Sequence, residues 1–271
     1  MLELNIVVPD PSRYLPHEKV DELALAVNRA YRETNKNKLG FPIHMDRLVD
    51  LLEVSTLWEE IDEPEGAAFF ASYSPAGEGL ITINEKHREL FEARPDVYGA
   101  CLGHEIGHKL LRHSEKIFSD SDTLSLFPDY APPPISFHKS SWFQFGLSRE
   151  EVQKSKEFRK TLNETLVKNA LISKTARETL AQIHTHFEPE WMFWQAEHFS
   201  LCLRIPRDHL LEQLEEGWNF NTWSPIYRLA ERFGVSASMM RLRLEKLRVI
   251  EIGKDGSPSP KQFAKQNNLF H

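Results

Sequence analysis

The spacing of apolar residues predicts helices along much of the chain. In residues 17–34 they recur every three or four positions, which puts them on one helical face. Similar spacing predicts a short helix over residues 45–52 and a long one over 95–116. A further helix is expected over about 189–203, and Pro206 lies near the first turn of the next one.

Two short apolar segments are typical of strands. Residues 67–73 and 80–83 flank the segment 74–79, which contains Pro75, Gly77 and Gly79. Strands on either side of a Pro/Gly turn predict an antiparallel hairpin. Residues 53–57 fit the start of another strand.

The middle of the chain has a different character. Residues 126–146 hold several prolines, which exclude a regular helix, and several aromatic residues, which argue against a merely flexible linker. We expect an ordered, proline-stiffened loop that packs on the body or lines a cleft. Ser148 and Glu151 form a capping-box pattern, and helical sequence continues to about residue 186.

The C-terminal part predicts two helices within residues 226–247, separated by a break at 234–236 with Ser236 as N-cap. This is the outline of a helix-turn-helix, and its second helix has a basic side formed by Arg241, Arg243, Lys246 and Arg248. DNA contact is one interpretation. We favour the other, a helical hairpin that completes the core or recognises a helix-turn-helix partner. From residue 257 onward we expect a loosely held tail.

Composition limits the class of protein. The chain has 271 residues, 41% hydrophobic and 27% charged, which is ordinary for a soluble globular protein. No apolar run approaches the roughly 18 residues that cross a bilayer, and no secretory signal is visible. With only Cys101 and Cys202, a reduced, cytoplasmic protein without membrane partners is expected.

Charge is unevenly distributed. Residues 217–271 contain nine Lys or Arg and four Asp or Glu, a net charge of +5, which leaves −12 on residues 1–216 and −7 overall. Such a basic segment can attract nucleic acid, an acidic partner or the acidic body of its own chain.

The predicted helix over 95–116 carries the candidate chemistry, His104-Glu105-Ile106-Gly107-His108. Side chains four residues apart on a helix share a face, so His104 and His108 can bind one divalent ion, for which imidazole ligands favour zinc. Glu105 projects beside them and can take a proton from a metal-bound water. Gly107 is unfavourable inside a helix, so we expect another element to approach closely there.

Two neighbouring residues are set aside as ligands. Cys101 lies one turn before His104 and is interpreted as a small core residue. His113 is one position short of the HExxHxxGxxH spacing, and Leu111 stands where that pattern needs its glycine.

The order of these motifs resembles the ImmA/IrrE-type metallopeptidases, a gluzincin-like group. The segments that carry the resemblance are Ile81-Thr82-Ile83-Asn84, the helix from Cys101 to Leu111, Trp194-Gln195-Ala196-Glu197-His198-Phe199 with Leu203-Arg204-Ile205-Pro206, and Tyr227 to Ser236. The resemblance implies a zincin-like domain, a zinc cofactor, and cleavage of a repressor-type regulatory protein as the partner. It also implies that His104 and His108 bind the metal and that Glu105 is the catalytic base.

The third ligand departs from the family pattern. Alignment on Ala196 and Phe199 puts Phe193 at the position where the family has a metal-binding glutamate. Glu197 and Glu190 lie about one turn to either side, and His184 and His186 are weaker candidates. We predict Glu197 as the third ligand.

These observations predict an α+β, predominantly helical protein with a small antiparallel sheet. Residues 1–118 and 187–216 would form the zincin-like domain, 119–186 an insertion, and 217–271 a basic C-terminal segment. The predicted activity is that of a zinc metalloendopeptidase. The alternatives are a pseudopeptidase that regulates by binding protein, and a DNA-binding regulator.

Overall fold

The structure is a computed structural model, and it describes residues 15–35, 41–61, 69–75, 78–113, 135–136, 190–215 and 217–261. The predicted capping box at 148–151 and the helix to about 186 lie outside these residues. In the described part the protein is α+β and predominantly helical, as the sequence predicts. No helix there combines the length and the apolar character that crossing a membrane requires.

Eight helices lie within the described ranges. They are α1 (His17–Asn35), α2 (Met45–Leu51), α3 (Arg88–Ala93), α4 (Pro95–Leu110), α5 (Glu190–Arg204), α6 (Arg207–Leu214), α7 (Ser224–Phe233) and α8 (Ala237–Lys246). The predicted helices are confirmed at these places. The helix that carries the histidines is shorter than predicted, because the chain leaves it after Leu110 and Arg112 adopts a left-handed φ of 55°.

Four strands form a mixed sheet in the order β1-β3-β2-β4, namely β1 (Ser55–Glu59), β2 (Ala71–Ser74), β3 (Leu80–Asn84) and β4 (Ile135–Ser136). The predicted hairpin is confirmed, since β2 and β3 pair antiparallel. β1 pairs parallel to β3, so the sheet is not purely antiparallel. β4 comes from the proline-rich segment 126–146 and pairs with β2, so this part of the segment is joined to the body.

The expectation of a loose tail from residue 257 is wrong for its first residues. Pro258–Pro260 forms β6, which pairs antiparallel with β5 (Ile250–Ile252). The turn between them is fixed by Asp255, whose carboxylate accepts from the backbone N–H of Ser257 at 3.0 Å and from its hydroxyl at 2.7 Å. Proline is tolerated in β6 because, among the residues described, this strand pairs with β5 alone, so its other edge donates to no further strand.

One hydrophobic cluster runs from Val20 in α1 to Ile250 in β5. It includes residues on both sides of position 217, where we placed a domain boundary. At its centre α4 and α5 lie against each other, which positions the histidine motif deep inside the molecule.

Candidate metal centre

The two motif histidines meet inside the protein. His104 and His108 are 2% and 0% exposed, and their Nε2 atoms are 3.0 Å apart. Both histidines lie on helix α4, whose start is stabilised by two features. Pro95 occupies its first turn, and Asp96 pairs with Arg94 at 2.8 and 2.9 Å. The predicted convergence of the two imidazoles on one point is therefore observed.

This geometry fits two ligands of one zinc ion. Nitrogen atoms that each lie about 2.0–2.1 Å from a tetrahedral zinc are about 3.3 Å from each other, close to the observed separation. Burial lowers the pKa of His108 to about 3, so its ring is neutral near pH 7. A neutral imidazole is the form that binds a metal.

Glu105, which lies between the two histidines in the sequence of α4, is completely buried. Cys101, four positions earlier on the same helix, is 1% exposed and forms no disulfide. Burial raises the pKa of the Cys101 thiol well above its usual value, and the Glu105 carboxylate raises it further. Cys101 is thus a protonated core residue, as the sequence suggests.

Helix α5 approaches α4 closely at glycines. A Cβ at Gly107 would lie 3.0 Å from the Cα of Ala196, and one at Gly103 would lie 2.4 Å from the Oγ of Ser200. The Ser200 hydroxyl donates to the carbonyl of Ala100 at 2.9 Å. The close approach predicted at Gly107 is therefore confirmed, and it lies directly beside the histidines.

The position of the expected third ligand is filled by an aromatic ring. Phe193 is 9% exposed, and its ring centroid lies 4.9 Å from that of His104. Glu197, one turn further along α5, lines a pocket together with His104. Among the residues that the structure describes, no three His, Cys, Asp or Glu side chains are grouped to hold a metal ion.

The other candidate ligands are not described. The side chain of Glu190 and both His184 and His186 lie outside the described positions. Glu197 stays a prediction.

His113 has a place in the centre that the sequence did not predict. It is 2% exposed, and its Nδ1 lies 2.9 Å from the Nδ1 of His108. Its Nε2 lies 3.2 Å from the Oε1 of Gln195. The left-handed residue Arg112 turns the chain so that His113 folds back against the helix it follows. His113 therefore lies behind a proposed ligand, on the side away from His104.

The pocket beside His104 is bounded on its far side by α8. There the Nζ of Lys246 lies 3.0 Å from the Nδ1 of His198 and 5.7 Å from the centroid of the Trp194 ring. Burial and the neighbouring Lys246 charge lower the pKa of His198 to about 2, so His198 is neutral and accepts this hydrogen bond.

Arg243, on the same helix, is 1% exposed. Its guanidinium donates to the carbonyl of Ile205 at 3.0 Å, to the Sγ of Cys202 at 3.1 Å and to the carboxylate of Asp21 at 2.7 Å. Of the four cations that made the C-terminal helix look suited to DNA, Arg243 thus faces the interior. Lys246 is exposed, and its Nζ is held against His198.

The comparisons with known proteins bear on the class of protein. Residues 171–245 match the Peptidase M78 family, described as the IrrE N-terminal-like domain. A search of curated proteins finds no match to the chain. The match indicates a metallopeptidase-type family. More narrowly, it supports an ImmA/IrrE-type family assignment for this chain.

The matched residues cover α5 to most of α8 and exclude the motif at 104–108. They begin inside the segment predicted as an insertion and extend into the predicted C-terminal segment. Our domain boundaries at 186 and 216 therefore do not coincide with the limits of the match, and they stay predictions.

Proposed function

We propose that this protein is a zinc-dependent metalloendopeptidase in which His104 and His108 bind the ion and Glu105 is the general base. The observation that carries the proposal is the buried pair of Nε2 atoms 3.0 Å apart, on a helix that also carries the fully buried Glu105. The family match provides independent support, since it comes from a different part of the chain.

The residues divide the work of hydrolysis. A bound zinc ion would supply a Lewis acid that polarises the scissile carbonyl and acidifies its bound water. Glu105 takes the proton from the attacking water and passes it to the leaving amine, so that the amine departs neutral. The buried surroundings of Glu105 strengthen its interactions with charge that develops in the transition state.

For the substrate we propose a repressor-type regulatory protein inside the cell. This part of the proposal rests on the family resemblance.

The substitution Glu105→Gln tests the mechanism. It removes the base but no metal ligand, so zinc content should stay at about one ion per chain while cleavage falls by a factor of about 10² or more. A repressor-type regulatory protein serves as the substrate, and mass spectrometry of the products measures cleavage. His104→Ala is the matched variant that should lose both zinc and activity.

Two results would contradict these assignments. Glu105→Gln protein that cleaves as fast as the wild type would show that Glu105 is not the base. Loss of zinc from that variant would make it a ligand instead.

A second candidate function is a pseudopeptidase that binds a regulatory protein without cleaving it. The contact of Phe193 with His104 favours it, because a phenyl ring stands where the family places a carboxylate ligand. Metal analysis separates the two candidates: little or no zinc in protein purified with zinc present supports the pseudopeptidase.

A further inference from the structure

A chain of hydrogen bonds leads from the backbone at the start of α1 to His108. The Nε2 of Gln195 donates to the carbonyl oxygen of Leu15 at 3.1 Å. The Oε1 of Gln195 lies 3.2 Å from the Nε2 of His113, and the Nδ1 of His113 lies 2.9 Å from the Nδ1 of His108. Gln195, His113 and His108 are all at most 2% exposed.

The first partner fixes the direction of every bond in this chain. A backbone carbonyl only accepts, so the amide nitrogen of Gln195 faces Leu15 and its oxygen faces His113. That oxygen also only accepts, so the Nε2 of His113 carries the hydrogen. In a neutral imidazole the other nitrogen then has a lone pair, and the Nδ1 of His113 accepts a hydrogen bond from the Nδ1 of His108.

The result for His108 is a single tautomer. Its hydrogen is on Nδ1, so the lone pair of Nε2 points to the place where the Nε2 of His104 lies 3.0 Å away. That is the atom and the direction that ligation of a metal requires.

We propose that His113 is a positioning residue, which with Gln195 holds His108 in the tautomer and the ring orientation that bind the metal. The inference rests on the proposed function, because it takes His108 as a ligand. It assigns a role to two residues outside the HExxH motif, His113 and Gln195, which lie 82 positions apart along the chain.

A bound imidazole usually donates its second N–H to a carboxylate, a carbonyl or water, and loss of that partner costs about 10-fold to 100-fold in metal affinity. In this protein the acceptor is the Nδ1 of neutral His113. Because both rings are buried, water cannot readily replace a lost acceptor.

Zinc affinity of the full-length protein, measured by competition with a chromophoric chelator, tests this role. His113→Phe keeps a ring but removes the acceptor, and its zinc Kd should rise by about 10-fold to 100-fold. His113→Asn should restore most of the affinity, because its Oδ1 lies nearly where Nδ1 was and accepts the same hydrogen bond. His209→Phe, which replaces a histidine stacked on Phe41 outside the centre, is the control and should bind zinc as the wild type does.

A second measurement needs no substitution. Histidine ¹⁵N chemical shifts of the metal-free wild type should show His108 protonated at Nδ1 and His113 protonated at Nε2. The opposite tautomer at either ring would overturn the inference, even if the variants failed to fold.

The outcomes distinguish this inference from the proposed function. If the wild type binds zinc and His113→Phe binds it equally well, the positioning role is wrong and the proposed function stands. If the wild type binds no zinc, the proposed function fails and the positioning role fails with it.

Discussion

At the scale of single residues, the protein keeps several histidines neutral by burying them. His198 on α5, outside the HExxH motif, is one instance: it is 5% exposed and faces Lys246 and Arg243 of α8 and His17 of α1. Burial and these neighbours lower its pKa from 6.5 to about 2. The cationic form is thus unfavourable in the folded state but accessible in the unfolded one.

This difference predicts how stability depends on pH. Below pH 6.5 the unfolded chain binds a proton at His198 and the folded chain does not. The contribution of neutral His198 to the free energy of unfolding is therefore complete above pH 6.5 and is lost as the pH falls towards 2. Between pH 7 and pH 5 the loss should be about 2 kcal/mol from this residue alone. Urea unfolding of the metal-free protein at several pH values measures it.

The matched variant is His198→Gln, which can still accept from Lys246 but does not titrate. Its free energy of unfolding should fall by about 2 kcal/mol less than that of the wild type over the same range. An unchanged pH dependence would show that His198 is not the responsible group.

The sequence predicts the part of the metal centre whose residues are close together along the chain. His104, Glu105 and His108 lie within five positions on one helix, so helical geometry alone places them together. The contact of Phe193 with His104 and that of Gln195 with His113 depend on how α4 and α5 pack, which no local pattern encodes. The motif spacing argued against His113 as a metal ligand. It gives no indication that His113 forms a hydrogen bond with the proposed ligand His108.

At the scale of elements, the contact between α4 and α5 follows a simple rule. Gly99, Gly103 and Gly107 face Arg204, Ser200 and Ala196 in that order, so the residue numbers rise in one helix as they fall in the other. The helices are therefore antiparallel, with backbones brought close by the missing Cβ atoms. This close packing holds His104 against Phe193.

Gly103→Ala tests that contact. The added Cβ would lie 2.4 Å from the Oγ of Ser200 and 3.4 Å from its Cα, so the substitution should destabilise the protein by about 1–3 kcal/mol despite the better helix propensity of alanine. Thermal or chemical unfolding measures the change.

Ser200→Ala removes the atom that the new Cβ meets. In a double-mutant cycle the two substitutions together should cost less than the sum of the single ones, by at least about 0.5 kcal/mol. Strict additivity would mean that the two side chains do not meet.

The elements themselves were largely predictable, because each has a strong local signal. Gly234 has a left-handed φ of 61° and ends α7, while the Ser236 hydroxyl accepts from the N–H of Met239 at 3.1 Å and opens α8. The parallel pairing of β1 with β3 and the strand from 258 to 260 were not predicted. Strand partners are set by tertiary packing, and a proline-rich segment has no strand propensity of its own.

At the scale of the whole molecule, the basic C-terminal helices are part of the main body. Arg243 on α8 pairs with Asp21 on α1, so a cation of the basic segment meets a carboxylate of the acidic body. The charge pattern allowed the basic segment to attract nucleic acid, an acidic partner or the acidic body of its own chain. The structure contains the last of these attractions. Residue 217 does not separate two hydrophobic cores among the residues described.

Arg243→Gln should therefore destabilise the whole protein. Removal of one partner from a buried ion pair costs about 3 kcal/mol or more, and here two further hydrogen bonds are lost or weakened. Arg241→Gln on the same helix is the control: its pair with Glu245 at 3.5 Å is partly exposed and should contribute at most about 0.5 kcal/mol.

Denaturant unfolding compares the two variants. Equal stabilities would contradict a structural role for Arg243. Two separate transitions in the wild type would contradict a shared core.

The carbonyl of Leu15 has a practical consequence for work with this protein. It precedes the first turn of α1, yet through Gln195 and His113 it terminates the bonds that orient His108. A truncation that removes Leu15 would therefore take away the acceptor that fixes the amide of Gln195, although Leu15 and His108 are far apart in the chain. Shortened versions of the protein intended for metal titration should keep Leu15.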